Sequence, residues 1–525
     1  MTDSRILGSY VQGAWHRAED GFVAIHNPST EEEIGRVSSR GVDFAEVLGH
    51  ARGVGGPALR ALTFTERGAI LKALSRALRD HRDELLALSA SSTGTTDGDG
   101  SFDIDGASGV FAYYAVQARK LGERTRIVDG AGAQLGKTEG FWAQHAWVSK
   151  QGAAVCINAF NFPAWGLAEK AACAWLAGVP VIAKPATSTA LLTERMVEIL
   201  LEQNVLPDGA LQLICGSTGD LLDHLDAQDV LAFTGSADTA LTLRSRPNLL
   251  ECSTVVNVEA DSLNAAVLAP GVDPASATFK LFIRDVAREM TQKSGQKCTA
   301  VRRILVPEDA ADGVQEALSA KLARTVTGDP TADGVRMGPL ANASQLQDAV
   351  AGVQELLAEA ELVHGTGERA DGVGAPEGAG FFFPPTLLRA KDPATAEVLH
   401  RREVFAPVAT LMPYAGDAAE AAGLVARGGG MLVTSVYGDD GAWLDTFLAG
   451  AGAHCGRIYV GSEGSADVSF GSGAALPQTL HGGPGRAGGG EELGGLVGVT
   501  RYMQRVALQG DRSVVEGLAG VEADA

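Results

Sequence analysis

Residues 152–186 read GAAVCINAFNFPAWGLAEKAACAWLAGVPVIAKPA and give the clearest indication of the fold. Two short apolar runs enclose the longer segment 166–177, whose length and pattern predict a helix. Further apolar runs, ALQLICG at 210–216 and DVLAFTGS at 229–236, are each followed by another helical pattern. Regular alternation of short strands with helices predicts a parallel, doubly wound sheet, which binds ligands beyond the carboxyl ends of its strands.

A second alternating block begins near Leu263 and predicts another α/β domain. Its strongest helical pattern covers 279–294, and an apolar run at 431–437 predicts a further strand. Residues 92–109 (STGTTDGDGSFDIDGASG) are predicted to form a solvated loop or the start of a helix. Residues 481–496 (HGGPGRAGGGEELGGL) hold many glycines among apolar and charged residues, which indicates a tight backbone path.

Composition excludes several classes of function. The 525 residues carry 43 Lys and Arg against 64 Asp and Glu, and the net charge of −21 opposes binding to nucleic acid. The chain begins without a basic segment followed by an apolar run and contains no apolar stretch of about 18 residues, so we expect neither a signal peptide nor a membrane span. Six scattered cysteines predict no metal site and are typical of a reducing cytoplasm.

Three residues could carry chemistry on an electrophilic carbon. Cys298, in SGQKCTA, follows the long predicted helix, where a thiolate could reach a pocket and backbone N–H groups could hold an oxyanion. Glu259 ends an apolar strand and could act as a general base, its pKa raised by burial. Asn161 follows another strand and could donate to an oxyanion. Each residue taken singly has a more typical interpretation without chemistry. Cys298 would be a buried, inert cysteine, Glu259 a solvated strand end and Asn161 a turn residue.

Other strand ends offer groups suited to a nucleotide. Lys184 ends the strand in VIAKPAT, and Thr187 follows three residues later. Gly235 and Ser236 lie between a strand and a helix, where free N–H groups favour an anion. No GxGxxG follows the first strand of the block, so the usual dinucleotide fingerprint is missing and each signal is weak alone.

The joint order of these residues resembles the aldehyde dehydrogenase superfamily over nearly the whole chain. The matching blocks are NFPAWG, KPAT, FTGS, GQKC, MGPL and EVFAPV. The resemblance implies a Rossmann-like cofactor domain, a second α/β catalytic domain and a small oligomerisation arm. We therefore expect the cofactor domain at 1–128 and 149–264, the catalytic domain at 265–478, oligomerisation segments at 129–148 and 479–511, and a tail at 512–525.

The same resemblance implies a role for each candidate residue. Cys298 would be the nucleophile of an NAD(P)-dependent, hydrolytic reaction, with Glu259 as base and Asn161 at the oxyanion. The cofactor would contact Lys184 and Thr187 at its adenine ribose and Gly235 and Ser236 at its pyrophosphate. Glu403 would hold the nicotinamide ribose, and Phe405 would lie against the nicotinamide ring.

Within the superfamily the chain is similar to the branch that acts after an aromatic-derived ring opens, in phenylacetate or benzoyl-coenzyme A degradation. Both the sequence EADSLN at the base and the 39 residues between Glu259 and Cys298 depart from the usual superfamily pattern and suit this branch. The resemblance implies a semialdehyde substrate linked to coenzyme A. The chain ends at Ala525, soon after the matched part, so the hydratase activity of the branch's bifunctional members is not expected.

Thr187 stands where NAD-preferring members carry a glutamate, which favours NADP, with NAD as the alternative. An anionic substrate or cofactor requires a local basic site in so acidic a chain. Arg302, Arg303 and Arg486 are candidates, although ordinary surface pairing is the more typical interpretation of each.

Two other functions stay open at this point. One is a general aldehyde dehydrogenase for aliphatic or aromatic aldehydes, and the other is a binding or structural protein that retains the fold. For either enzyme the resemblance implies a cytoplasmic homodimer or higher homo-oligomer, with no nucleic-acid or membrane partner.

Overall fold

The computed structural model describes residues 5–521. The strands, in chain order, are β1 (Ser9–Val11), β2 (Ala14–His16), β3 (Val23–His26), β4 (Glu33–Val37), β5 (Ile127–Gln134), β6 (Trp142–Ser149), β7 (Ala154–Ile157), β8 (Val181–Lys184), β9 (Leu211–Leu213), β10 (Val230–Thr234), β11 (Val255–Glu259), β12 (Ala265–Leu268), β13 (Arg303–Pro307), β14 (Ala360–His364), β15 (Thr386–Ala390), β16 (Val408–Tyr414), β17 (Met431–Tyr437), β18 (Cys455–Gly461), β19 (Leu480–Gly482), β20 (Glu491–Leu493) and β21 (Met503–Gly510).

The α-helices fill most of the intervals between these strands. In chain order they are α1 (Phe44–His50), α2 (Gly56–Arg60), α3 (Phe64–Asp80), α4 (Arg82–Thr93), α5 (Asp97–Leu121), α6 (Trp165–Ala177), α7 (Ala190–Glu202), α8 (Ala237–Arg244), α9 (Pro247–Glu251), α10 (Ala277–Thr291), α11 (Ala311–Leu322), α12 (Ala343–Leu356), α13 (Ala418–Ala426), α14 (Gly441–Ala451), α15 (Leu496–Thr500) and α16 (Arg512–Ala519).

Two large sheets organise the molecule. The first has the order β11-β10-β7-β8-β9-β1-β2, in which the strands from β11 to β9 are parallel and β1 joins β9 in antiparallel fashion. The second has the order β14-β15-β16-β13-β12-β17-β18 and is parallel except for β14. The predicted α/β class, with strands and helices alternating around parallel sheets, is confirmed.

Of the two structures predicted for 92–109, the loop is wrong for most of the stretch and the helix start is confirmed, because α5 begins at Asp97. Thr96 caps the helix by accepting a hydrogen bond from the Asp99 backbone N–H. The glycines and aspartates lower helix propensity, but Ile104 and Phe111 are buried in the core between α5 and its neighbours. Burial of this apolar face outweighs the local preference for a loop.

The expected tail at 512–525 is also corrected in part. Residues 512–519 form α16, which Asp511 caps and which buries Val515 and Ala519. Arg512 forms an ion pair of 2.6 Å with Glu139, next to the small antiparallel sheet of β21, β6 and β5. Residues 522–525 lie outside the described residues.

Parallel pairing sets the position of the site. The strands β7, β8, β10 and β11 run side by side in the same direction, so their carboxyl ends lie along one edge of the first sheet. Glu259, the last residue of β11, pairs in register with Thr234, the last residue of β10. Side chains that follow these strands therefore converge, as doubly wound sheets require.

Among residues 5–521, none of the helices combines the length and the apolar composition that crossing a bilayer requires.

Candidate active site

Cys298 lies in a loop whose backbone departs sharply from helical geometry. Lys293, Ser294 and Gly295 follow α10 with φ of 52°, 56° and 67°. This left-handed region is costly for residues with a side chain. At Gly295 any side chain is excluded, because a Cβ would lie 2.3 Å from the carbonyl oxygen of Ala406. The helix predicted to reach Ser294 therefore ends earlier, and a short strained turn leads to Cys298.

Hydrogen bonds from other elements hold this loop in place. The Asn264 side-chain amide donates to the carbonyl oxygens of Cys298, at 2.7 Å, and Ala300, at 3.0 Å. The Ser294 hydroxyl donates to the Gly338 carbonyl oxygen at 2.7 Å. Because both anchors are buried, the Cys298 main chain has a defined position before any ligand binds.

The Cys298 side chain faces a small cavity of about 40 Å³ between the two large sheets. Three aromatic rings, those of Phe102, Phe162 and Trp165, form one wall, with centroids 5.3 to 5.7 Å apart. The same cavity is lined by Asn161, Glu169, Thr234, Glu259, Cys298 and His481. The structure thus brings the three sequence-predicted catalytic candidates together, while their chemical roles remain predictions.

His481 occupies the centre of this group, and sequence reasoning missed it. Its Nε2 atom lies 3.1 Å from Oε1 of Glu259 and 3.7 Å from Sγ of Cys298. His481 belongs to β19, inside the glycine-rich stretch, and pairs in register with Glu492 on β20. A single histidine among glycines gives no local sign of such a contact, because the hairpin of β19 and β20 and its packing decide where the imidazole lies.

A buried cluster of acidic residues around one lysine lies behind Glu259. Lys170 Nζ lies 3.0 Å from Glu169, 3.1 Å from Glu492 and 2.9 Å from the Thr234 hydroxyl. Carboxylate oxygens of Glu169, Glu259 and Glu492 all lie within 4.8 Å of one another. Burial and the neighbouring carboxylates raise the pKa of Glu492 well above its usual range, so it holds a proton and relieves the repulsion.

Glu259 differs in its protonation from the sequence prediction. Burial alone would raise its pKa, but the facing His481 imidazolium and the nearby Lys170 outweigh burial and lower the pKa to about 2. The prediction of a raised pKa is therefore wrong. Burial alone would lower the pKa of His481, but Glu259 and Cys298 together raise that pKa well above the ordinary value. The pair is thus an imidazolium and a carboxylate at neutral pH.

The Cys298 thiol stays protonated in this setting. Burial, followed by the negative charge of Glu259, raises its pKa to about 11, and His481 opposes that shift. Two donors nearby are free of other partners: neither the Asn161 side-chain amide nor the Cys298 backbone N–H has a hydrogen bond within residues 5–521. Both could therefore donate to an oxygen held beside Sγ.

A larger cleft of about 450 Å³ opens on the other side of Cys298. It shares Asn161, Thr234, Glu259 and Cys298 with the small cavity and is further lined by Ala186, Gly235, Ser236, Asp261, Glu403 and Phe405. Ser236 caps the N-terminus of α8. In the first turn of that helix the Ala237 N–H already donates a hydrogen bond to the Asp261 carboxylate at 2.9 Å. Cys298 therefore lies where the cavity and the cleft meet.

The Glu403 carboxylate and the Phe405 ring form the far wall of the cleft. Glu403 accepts from the Ser262 N–H at 3.0 Å, and burial raises its pKa to about 7 against the effect of Arg302. The Phe405 ring packs edge-on against Phe160, with centroids 5.9 Å apart.

Lys184 and Thr187 lie beside the cleft, on either side of Ala186, which lines it. Within the described residues the Lys184 ammonium has no hydrogen-bond or ion-pair partner, and burial lowers its pKa. An unpartnered cation, a helix N-terminus and a buried carboxyl along one cleft fit the phosphate and ribose groups of a dinucleotide.

Two groups of side chains are spaced closely enough to hold a metal ion, Glu259 with Cys298 and His481, and Glu169 with Glu259 and Glu492. Ion pairs and shared protons account for both groups without a metal. The absence of a metal cofactor stays a prediction.

Comparison with known proteins shows the family to which the whole chain is similar. The model of the Aldehyde dehydrogenase family matches residues 15–506. The chain is 44% identical, over 478 residues, to the 3,4-dehydroadipyl-CoA semialdehyde dehydrogenase of Aromatoleum evansii, covering 91% of this chain and 93% of that protein. It is also 46% identical to the protein MaoC of Klebsiella aerogenes, over 179 residues that cover 34% of this chain and 52% of MaoC.

Solved structures of similar fold include a betaine aldehyde dehydrogenase mutant from Staphylococcus aureus. The TM-score is 0.82 and the identity 22%, over 97% of this chain and 96% of that one. This likeness confirms the predicted aldehyde dehydrogenase fold.

Replacing His481 by Gln should make Cys298 less reactive. The substitution removes the imidazolium close to Sγ, which opposes the effect of Glu259 on the thiol pKa. An opposite charge at such range shifts a pKa by about 1–3 units. The thiol pKa should rise further above 11. Because only the thiolate reacts, the rate of Cys298 carbamidomethylation by iodoacetamide at pH 8 should fall at least about tenfold, as measured by peptide mass spectrometry.

The variant His26→Gln, at an exposed position on β3, controls for loss of a histidine elsewhere. In both the parent and this control the rate should still be rising with pH at pH 10. An unchanged rate in His481→Gln would show that His481 does not influence the thiol.

Proposed function

The chain belongs to the aldehyde dehydrogenase family, and on that premise we propose that it oxidises the aldehyde of a coenzyme A-linked semialdehyde to a carboxylic acid. It is an NAD(P)-dependent oxidoreductase, and NADP is the proposed hydride acceptor. The observation that carries the reaction type is the meeting of Cys298, Asn161 and Glu259 on one cavity. The substrate class is supported by the relative from Aromatoleum evansii, whose name specifies such a thioester and which matches nearly the full length.

In the first step Cys298 acts as the nucleophile. Its Sγ forms a bond to the aldehyde carbon, and the carbonyl electron pair moves to oxygen. The thiol proton passes to the Glu259 carboxylate, whose oxygen lies within 4.8 Å of Sγ. Since the thiol pKa is about 11, proton transfer has to accompany attack, which a carboxylate and an imidazolium at this range can support.

Asn161 and the Cys298 N–H stabilise the oxygen that gains charge. Both donors are free of other partners within the described residues. A buried, prepositioned donor is worth several kcal/mol to such a step, because it needs no reorganisation when the charge develops.

The cleft beside Cys298 is the proposed cofactor site. Lys184 and Thr187 would hold the adenine ribose, Gly235 and Ser236 the pyrophosphate, and Glu403 and Phe405 the nicotinamide riboside. Bound there, NADP would supply the hydride acceptor that converts the thiohemiacetal on Cys298 into a thioester.

Glu259 then completes the reaction, after its proton has returned to solvent. It takes a proton from water, the hydroxide attacks the thioester carbon, and the bond to Sγ breaks. The acid leaves, and Cys298 regains a proton. Because Glu259 supplies a base beside the thioester, water is a better acceptor than a second thiol, which favours a free acid over an acyl transfer product.

We also propose a homo-oligomer in the cytoplasm. The strands β5 and β21 are the outer strands of their sheet, and Leu135 and Phe141 near β5 are 46% and 49% exposed. Unpaired strand edges beside apolar side chains favour pairing with another copy. All six cysteines carry free thiols, as expected of a reducing compartment.

The substrate class is tested by initial rates of NADPH formation. We expect kcat/KM for adipyl-coenzyme A semialdehyde to exceed that for hexanal by at least about tenfold, because the thioester adds binding contacts that the simple aldehyde lacks. Benzaldehyde serves as a second comparison. Equal or higher values for the simple aldehydes would support a general aldehyde dehydrogenase instead.

Cofactor preference is tested at Thr187. A glutamate there would face the 2′-phosphate of NADP, and the repulsion should lower the ratio of kcat/KM for NADP to that for NAD at least about tenfold. In Thr187→Gln the new side chain has nearly the same size as glutamate but no charge. This variant should therefore keep the parent ratio of kcat/KM for NADP to that for NAD. If Thr187→Glu also keeps the parent ratio, Thr187 does not lie at the adenine ribose.

A further inference from the structure

The coenzyme A portion of the proposed substrate requires a site outside the small catalytic cavity, which is only about 40 Å³. The arginines suggested by the sequence are engaged elsewhere. Arg302 and Arg303 are buried and donate to main-chain carbonyl oxygens, including those of Ala406 and Leu263. Arg486 donates to the Arg401 carbonyl oxygen and lies 3.4 Å from Asp261.

A separate groove of about 570 Å³ lies along the outside of α10. Its floor is formed by α10 and α11, and Ala466 and Asp467, from the segment 462–475 that follows β18, line its edge. The cations on its lining are Lys280 and Arg284, one helical turn apart on α10, and Lys321 on α11. The surrounding floor is apolar and includes Phe279, Leu281 and Ile283.

The groove is basic in an acidic protein. Three cations and one carboxylate, Asp467, line it, which gives a net charge of +2 on a chain whose net charge is −21. Lys280 and Lys321 are exposed and have no ion-pair partner within residues 5–521. Arg284 lies 3.6 Å from Asp285 and keeps 45% of its side chain exposed. Such a concentration of exposed cations favours a polyanion.

The segment 462–475 connects this groove with the catalytic cavity. At the groove end, Arg284 donates to the Ala466 carbonyl oxygen at 2.8 Å. At the other end, Gly473 and Ala475 line the cavity. The Thr299 hydroxyl, next to Cys298, donates to the Gly473 carbonyl oxygen at 3.0 Å. One continuous piece of chain therefore borders both sites.

Between its two ends this segment presents bare apolar surface. Val468 and Phe470 are each 76% exposed, the largest exposed fractions among the large apolar side chains of residues 5–521. Exposed apolar side chains grouped beside a groove mark a binding surface more often than chance. Their place suits an apolar arm that passes from the groove towards Cys298.

The spacing agrees with an extended thioester. Lys280 lies eleven residues before the end of α10 at Thr291, which at 1.5 Å per residue is about 16 Å along the helix axis. The pantetheine arm of coenzyme A, with a short acyl chain, spans a comparable length when extended.

We propose that this groove binds the phosphate groups of the coenzyme A thioester, through Lys280, Arg284 and Lys321, with the pantetheine arm lying over Val468 and Phe470. The inference rests on the proposed function and adds to it the surface that selects a coenzyme A-linked aldehyde. The groove places no group at the reacting carbon, so it should govern substrate binding and leave the chemical step unchanged.

The test is a triple variant, Lys280→Gln with Arg284→Gln and Lys321→Gln. Its matched control is Lys72→Gln with Arg76→Gln and Lys120→Gln, which removes the same charge from exposed positions on α3 and α5. We expect KM for adipyl-coenzyme A semialdehyde to rise at least about tenfold in the groove variant, with kcat within twofold and the KM for hexanal unchanged. The control should match the parent protein.

Free coenzyme A provides a second probe. Its affinity, measured by titration calorimetry, should fall at least about tenfold in the groove variant and not in the control. Raising the ionic strength should weaken binding of the parent protein, because salt screens exposed charges, and should affect the groove variant less.

The outcomes separate the two claims. Good turnover of the thioester by the parent protein, with equal KM in both triple variants, would overturn the groove and leave the proposed function standing. Equal losses in both variants would show a general effect of net charge and would also overturn it. No turnover of the thioester by the parent protein would overturn the proposed function and the groove together.

Discussion

The negative charge of Glu259 governs what the catalytic cavity can do. A carboxylate that is 3% exposed would ordinarily take up a proton, and this one stays ionised because His481 and Lys170 face it from two sides. Glu492, crowded by the same carboxylates, holds a proton instead. Removal of Glu259, His481 or Lys170 would leave a buried charge without its partner, which is costly, so the elements carrying these residues have to stay in register. Burial, together with the same charge, keeps Cys298 a thiol at rest, which protects it from reactions in the absence of substrate.

The fold supplies this arrangement by bringing distant segments to one edge. Glu259 ends β11, Lys170 lies within α6, and His481 and Glu492 face each other across the hairpin of β19 and β20. Cys298 comes from the second sheet's side, through a left-handed turn that excludes a side chain at Gly295. The two sheets therefore meet at the cavity, and the cleft opens from it beside the nucleophile loop.

How much of this could be predicted depends on the range of the interactions. The alternation of strands and helices is local, and it predicted the parallel sheets. The order of the motifs predicted that Asn161, Glu259 and Cys298 belong to one site. The choice between a loop and the start of α5 stayed open because its glycines and aspartates disfavour a helix locally, whereas burial of Phe111 and its neighbours decides the outcome. His481 was missed because its role depends on a hairpin pairing and on Glu259, more than 200 residues away in the chain. The pKa of Glu259 could not be inferred from burial alone, since the opposing charges come from residues that only the fold brings near.

The most direct test of this account is the mass of the protein after acid quench of Glu259→Gln mixed with NADP and adipyl-coenzyme A semialdehyde. Loss of the Glu259 charge removes one cause of the raised thiol pKa, so Cys298 can lose its proton without that carboxylate and still attack, whereas hydrolysis lacks its base. We therefore expect a burst of NADPH close to one per site and a stable adduct on Cys298. The adduct mass should equal that of the aldehyde less two hydrogens, as a thioester requires, and Cys298→Ser should show neither burst nor adduct. Steady turnover of Glu259→Gln at the parent rate with no adduct, or an adduct on another residue, would contradict the account.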